Sequence, residues 1–540
     1  MTRGKRTLLV LAIVVAICAG LGGFYGPAVR ATAQGNNNIE ESVKSFTHVL
    51  AVVERNYAKP VNVDSAIYHG AIPGMLAVLD PHSSFFDKRA FALLEEDQHG
   101  QYYGVGMEIG PESGRTVVIS PFPGSPAYQA GIRPGDVLLE VDKKSCKGLT
   151  TDQVASMLKG PRGTVVHITV GREGWDKPFE FTITRDAISH PAVDFYTIVK
   201  PGVGYIKIST FESEDEAAEL AEALQKLDAP HLDGLILDLR GNPGGLFNQA
   251  VETGDMLLDR GQLIVSHRGR ASPERRYYAV HGNQGDRVPI VVMIDGNTAS
   301  ASEIIAGALQ DHDRALIAGQ TSFGKGLVQT VSPLGDGTGL ALTTARYYTP
   351  SGRLIQRPYH NISYWEYRFN PQPAPKADVK LTDSGRSVYG EGGITPDVQL
   401  PVPKLDAFQN MLLQRGVFFP LEIVETGVGD FTRYYVGTRP TVTRDFVVND
   451  AVIDQFKRYL DKEHITYTDQ DIQQNLDWLK WKIKREVFTS IFGINAGYRV
   501  QLDSDPEMQK AVELIPQARA LYENARKILA ERTAAQSLNR

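Results

Sequence analysis

Apolar positions from Ile39 onward recur at three- and four-residue steps. Val43, Phe46, Val49, Leu50 and Val53 would share one helix face. A second helix is expected from Asp64, a good N-cap, to Leu79, where Asp80-Pro81 stops it, and a third over 88–96. The texture then changes to short apolar runs bounded by glycine. These predict strands over 102–109, 116–119, 137–141, 165–170 and 179–184, with helices over 126–130 and 151–158, the outline of a small β-barrel module.

From about Val203 to Leu400 strand and helix patterns alternate. The runs 234–239 (GLILDL) and 288–294 (VPIVVMI) are apolar throughout, as strands buried on both faces are. Each leads into a turn and a helix, which predicts a layered α/β core. Prolines at 371–375 mark a loop. Beyond Val402 the pattern is mainly helical, for example over 472–488 and 506–530, and carries no recognised chemical motif.

At the N-terminus, Arg3, Lys5 and Arg6 precede an uncharged apolar stretch over 7–29. A basic start and an apolar run form an export signal, and Ala31-Thr32-Ala33 offers a cleavage site. The run is also long enough to anchor in a bilayer, so both fates stay open. Either way the body is expected outside the cytoplasm, in the periplasm or cell envelope.

Composition narrows the function classes. The 540 residues suggest three or four domains; they are 42% hydrophobic and 22% charged, with a net charge of −6, which excludes a strongly basic nucleic-acid binder. Cys18 and Cys146 offer no disulfide framework. The 12 histidines form no H-E-x-x-H, and C-x-x-C is missing, so no metal is expected, and the chemistry read below needs no cofactor.

Three segments could carry chemistry: Asp238-Leu239-Arg240-Gly241-Asn242-Pro243-Gly244-Gly245, Asn297-Thr298-Ala299-Ser300-Ala301-Ser302-Glu303, and 319–329, GQTSFGKGLVQ. Gly319 to Lys325 fits G-x-x-x-x-G-K, but Gly326 stands where a phosphate loop needs Ser or Thr, and a strand pattern follows where a helix is required. Nucleotide binding is therefore rejected. Ser300 opens a helix, where backbone N–H groups can hold an oxyanion. No histidine lies in these segments and G-x-S-x-G is absent, so a base must come from elsewhere. Lys325 can serve if burial keeps it neutral. Gln329, on the same face of the expected strand, could orient its amine. Asp238 and Arg240 read as a structural ion pair or loop anchor, Ser302 competes with Ser300, and Asp311 reads as a packing residue.

Together these residues resemble the carboxyl-terminal processing proteases, the tail-specific S41 serine peptidases. The resemblance rests on Ser300 in TASASE, Lys325 and Gln329 in FGKGLVQ, DLRGNPGG, LDPHSSFF over 79–86, and YGVGMEI over 103–109 with GSPA and GIRPGD after it. It implies Ser300 as nucleophile, Lys325 as general base, Gln329 as the residue that positions Lys325, and Gly244 and Ala301 as oxyanion-hole amides. It assigns Val105 and Gly106 to peptide binding by strand addition. The implied architecture is α/β: a crotonase-like ββα-spiral protease core over 190–400 and an inserted PDZ domain over 100–186. Helical N- and C-terminal regions span 39–98 and 401–540, after a signal or anchor over 1–33. Polypeptides with apolar C-termini are the implied substrates, and activity should fall at acid pH as Lys325 protonates. A homo-oligomer built through the helical ends stays open. The competing readings are a catalytically silent PDZ scaffold and a crotonase-like acyl-CoA enzyme.

Overall fold

The computed structural model describes residues 36–98, 101–112, 114–122, 124–172, 175–189, 191–193, 195–283, 286–359, 366–367, 378–400, 404–418, 430–438 and 442–538. The apolar stretch 7–29 and the loop at 371–375 lie outside them. No helix of the described residues is long and apolar enough to cross a membrane.

The described residues divide at Met75 and Leu76 into two compact units. In the first, the helix Asn36–Asn56 carries the expected apolar stripe, with Ile39, Val43, Phe46, Val49 and Val53 all exposed. The next helix starts earlier than expected, at Val63–Ala66, because the Asn62 side chain accepts the Ser65 N–H at 3.0 Å. Asn caps as well as Asp does, so Asp64 falls inside the first turn.

In the second unit, β1 (Ser84–Phe86) is followed by the helix Lys88–Gln98. The expected strand 102–109 is two strands, β2 (Gln101–Gly104) and β3 (Met107–Glu112). Gly106, at φ 75°, turns the chain between them. β4 (Arg115–Pro121), β5 (Val137–Val141), β6 (Lys144–Ser145), β7 (Val165–Gly171) and β8 (Phe179–Thr184) complete a sheet of order β3-β4-β5-β7-β8, with β6 on β5. β9 (Asp186–Ser189) pairs with β2 as a separate ribbon. Helices Pro126–Ala130 and Thr151–Leu158 close this module, burying Ala127, Val154 and Leu158 against Val118, Val141 and Ile168.

The larger core is built on β10 (Phe195–Lys200), β11 (Val203–Lys207), β12 (Gly234–Asp238), β13 (Leu263–Arg268), β14 (Arg275–Tyr278), β15 (Ile290–Ile294), β16 (Ala315–Gly319), β17 (Leu327–Pro333), β18 (Gly339–Tyr348), β19 (Lys380–Leu381), β20 (Ser387–Val388) and β21 (Val398–Gln399). Its central sheet has the order β10-β11-β12-β15-β16-β21, parallel from β11 onward. A second, antiparallel sheet joins β1, β18, β13 and β14, with β17 on β18.

Alternation along the central strands explains why they read as continuous apolar runs. Leu235, Leu237, Ile290 and Val292 face a core made with helices Glu216–Lys226, Phe247–Leu257 and Ala301–Asp311. Ile236, Val291 and Met293 face the other way, onto Leu502, Met508, Ala511, Leu514, Ile515 and Ala518 of the C-terminal helices. Both faces of a parallel sheet must be covered, and the chain's own tail covers the second one.

The expected C-terminal helices are each interrupted. Asn475 separates Asp469–Gln474 from Leu476–Phe492, and Leu514 separates Pro506–Glu513 from Ile515–Leu538. Phe418, Phe431, Phe456, Leu460, Leu479 and Ile483 form a separate core there, against which Trp478 packs.

Candidate active site

β15 delivers Ser300 through a turn held from both sides. Asp295 Oδ1 accepts the N–H groups of Thr298 at 2.9 Å and of Gly241 at 3.0 Å, and the Thr298 hydroxyl donates to the Leu239 carbonyl at 2.8 Å. The DLRGNPGG loop and the serine turn are thereby fixed to each other. Ser300 has φ 55° and ψ −115°, a strained backbone for a side-chain-bearing residue, worth roughly 1–3 kcal/mol. The helix Ala301–Asp311 begins directly after it. Ser302 is fully buried and its hydroxyl donates to the Asn242 carbonyl at 3.2 Å.

Glu303 holds this strained turn against the lysine loop. Its Oε2 accepts the N–H groups of Ser300 and Lys325, each at 2.8 Å. Its Oε1 accepts the Gly324 N–H at 2.7 Å and the Ser322 hydroxyl at 2.5 Å. The residue has no exposed surface. Burial pushes its carboxyl pKa up, and the four donors pull the other way. Tyr347, also buried, adds a second tie: its hydroxyl reaches the Ser300 carbonyl at 3.0 Å and the Lys325 carbonyl.

Lys325 precedes β17 rather than lying in it, and the β17–β18 register shifts between Val328 and Gln329. Strict two-residue alternation therefore does not govern the pair, yet Lys325 Nζ donates to Gln329 Oε1 at 2.8 Å. Gln329 Nε2 in turn donates to the His82 carbonyl at 2.6 Å. Asp80 shapes that turn by accepting the N–H groups of His82 and Ser83, each at 2.8 Å. The strand β17 after Gly326 also disposes of the phosphate-loop pattern, since no helix follows it.

Gly244 has φ 95°, and a Cβ there would lie 2.7 Å from Ser300 Cβ and 2.8 Å from the Ala301 nitrogen. Only glycine lets the loop approach the serine so closely. The Gly244 N–H donates to Asn242 Oδ1 at 2.9 Å in this conformation. The Ala301 N–H is at the helix start, beside Ser300.

Asp238 and Arg240 form the expected ion pair, at 2.7 Å. Burial would raise the Asp238 pKa, but Arg240 and Lys207 outweigh it and hold the carboxyl well below its usual range. Asp311 pairs with fully buried Arg353 at 2.7 Å, a packing role at the far end of the serine helix. In the small module, Val105 and Gly106 form the turn before β3, an edge strand. Their carbonyls accept the Ala127 N–H at 2.8 Å and the Phe122 N–H at 3.0 Å. Among the described residues no group of His, Cys, Asp or Glu could hold a metal ion.

Sequence reasoning gave no role to Glu303, Tyr347, Asn242 or the His82 carbonyl. The S-x-x-E spacing of Ser300 and Glu303 was a capping signal that could have flagged the first. Tyr347 gave no local sign.

A model of peptidase family S41 matches residues 202–361, and a PDZ domain model matches 117–172. A carboxy-terminal-processing protease of Bartonella bacilliformis is 40% identical over 334 residues, 61% of this chain and 76% of its own. The chain belongs to that family. The carboxy-terminal processing protease CtpB of Bacillus subtilis is 33% identical over 335 residues, 61% of this chain and 69% of its own. The solved photosystem II D1 C-terminal processing protease aligns at 31% identity and a TM-score of 0.37, over 66% of this chain and 92% of that one. As a carboxy-terminal-processing protease, the chain is a serine-type peptidase with an S41 fold of mixed α/β content and a PDZ domain.

Proposed function

We propose that this peptidase is exported, binds polypeptide C-termini through its PDZ domain and cuts near them by a Ser300–Lys325 dyad. The observation that carries the reading is the sharing of Glu303 Oε2 between the Ser300 and Lys325 N–H groups. One buried carboxyl thereby holds the backbones at Ser300 and Lys325 next to each other, which supports their working as a nucleophile and its base. In this reading neutral Lys325 takes the Ser300 hydroxyl proton as Oγ attacks the scissile carbonyl. The protonated amine then gives that proton to the departing peptide nitrogen, leaving an acyl ester that water hydrolyses with Lys325 again as base.

Gln329 aims the amine, and the Ala301 and Gly244 N–H groups receive the oxyanion; for Gly244 to serve, its N–H must leave Asn242 Oδ1. The core is read as the crotonase-like ββα spiral over 190–400, with the PDZ domain at 100–186 and helical regions at 39–98 and 401–540. The position of β3 at the edge of its sheet, after the Val105–Gly106 turn, supports strand addition of a substrate tail, with its terminal carboxylate at that turn and apolar end residues preferred. The basic start and apolar run over 7–29 support export, cleaved or anchored.

The test uses two otherwise identical unstructured substrates, one ending in a free carboxylate after apolar residues and one amidated. Faster cleavage of the free-carboxylate substrate is expected. Equal rates for both would remove C-terminus recognition from the account.

A further inference from the structure

Glu507 stands in the C-terminal stretch that neither family model reaches. Its Oε2 accepts from Arg240 Nη1 at 2.7 Å and its Oε1 from Gln320 Nε2 at 3.2 Å. Arg240 lies on the loop that leads to Gly244, and Gln320 on the loop that leads to Lys325. One tail carboxyl therefore touches both loops.

The neighbouring groups make this a built junction. Asp505 Oδ2 accepts from Arg240 Nη2 at 2.8 Å, while its Oδ1 caps the helix Pro506–Glu513 by accepting the N–H groups of Glu507 at 2.9 Å and Met508 at 3.1 Å. On the sheet side Arg240 grips Asp238, which also accepts the Tyr205 hydroxyl at 2.8 Å, and Lys207 donates to the Arg240 carbonyl. Met508 and Ala511 are buried against the second face of the central sheet. The helix that presents the carboxyls cannot shift without unpacking that face.

We propose that Glu507, supported by Asp505, is a positioning residue of this peptidase, through which the C-terminal helices set the oxyanion loop against the base loop. The proposal rests on the roles given above to Gly244 and Lys325. Charge-assisted hydrogen bonds to a planar guanidinium fix orientation as well as distance, and small misplacements of reacting groups cost rate more than binding. The peptide-binding turn at Val105 and Gly106 belongs to the PDZ module, so substrate affinity should be little affected.

The experiment measures kcat and KM of the full chain on one unstructured substrate for wild type, Glu507→Ala, Glu507→Gln, Gln320→Ala, the Glu507→Ala/Gln320→Ala pair and Ser300→Ala. Amide exchange of the β15 strand reports folding. Glu507→Ala should lower kcat about tenfold with KM within about twofold, and Glu507→Gln, which keeps one acceptor, should recover part of it. The pair should lose less than the product of its single losses. Wild-type kcat in Glu507→Ala, a change confined to KM, or a kcat loss that only follows loss of β15 protection would overturn the proposal. Cleavage that survives Ser300→Ala would instead overturn the underlying reading, and the proposal with it.

Discussion

Lys325 Nζ donates to Gln329 Oε1 at 2.8 Å, and Gln329 meets it oxygen-first because its Nε2 is held by the His82 carbonyl at 2.6 Å. An amide has one acceptor end and one donor end, so fixing the donor end fixes the other. The turn at Asp80 and His82 thus reaches the amine through a single side chain. Gln329→Ala should lower kcat by about 10- to 100-fold with KM nearly unchanged, since it removes the acceptor that aims the amine while leaving the PDZ module untouched. Steady-state kinetics on one peptide checks this, and a loss seen only in KM would be wrong for it.

Glu303 receives two donors on each carboxyl oxygen. In Glu303→Gln, either orientation of the amide turns an NH2 against at least one fixed backbone N–H: Gly324 on one side, Ser300 and Lys325 on the other. The variant should lose about 100-fold or more in kcat and also melt earlier, by the cost of leaving buried donors unpaired. Retained activity would mean the Ser300 and Lys325 loops hold themselves.

Tyr347 can be tested more gently. Tyr347→Phe keeps the buried ring and removes only the hydroxyl that reaches the Ser300 and Lys325 carbonyls. One neutral hydrogen bond is worth about 1 kcal/mol, so stability should fall by about that much while kcat falls roughly tenfold. Chemical denaturation and kinetics on the same preparation separate the two effects.

Glu216 gives a pH dependence of stability. It is fully buried, with one oxygen accepting the Thr253 hydroxyl at 2.7 Å. Burial pushes its pKa up to about 8, against the Thr253 hydrogen bond and with help from Glu219 and Glu252. A carboxyl whose folded pKa is raised favours folding in its protonated form, so its contribution is lost as pH rises from about 4.5 to about 8. Glu216→Gln should flatten that slope, making the variant relatively more stable at pH 8 than at pH 5. Urea midpoints at the two pH values would show it, and parallel profiles for wild type and variant would refute it.

Local pattern carried much of the fold into view. β12 and β15 were legible as apolar runs, and the helix after Ser300 as a turn followed by a helical repeat. Breaks that depend on one backbone angle were less visible: Gly106 splits a run that alternates smoothly by composition, and Asn475 and Leu514 interrupt helices of good propensity. The second face of the central sheet was hidden because Met508, Leu514 and Ile515 lie hundreds of residues from the strands they cover. At the site, Ser300, Lys325 and Gln329 were visible as residue types in suggestive spacing. Their ties to Tyr347 and His82 were not, because hydrogen bonds across a fold leave no period in the chain.

The most direct test of the dyad is cleavage of an unstructured protein by wild type, Ser300→Ala, Ser302→Ala and Lys325→Ala, read by mass spectrometry. Cleavage should vanish in the 300 and 325 variants and persist with the same cut sites in the 302 variant. Cleavage that survives Ser300→Ala or Lys325→Ala would contradict the account.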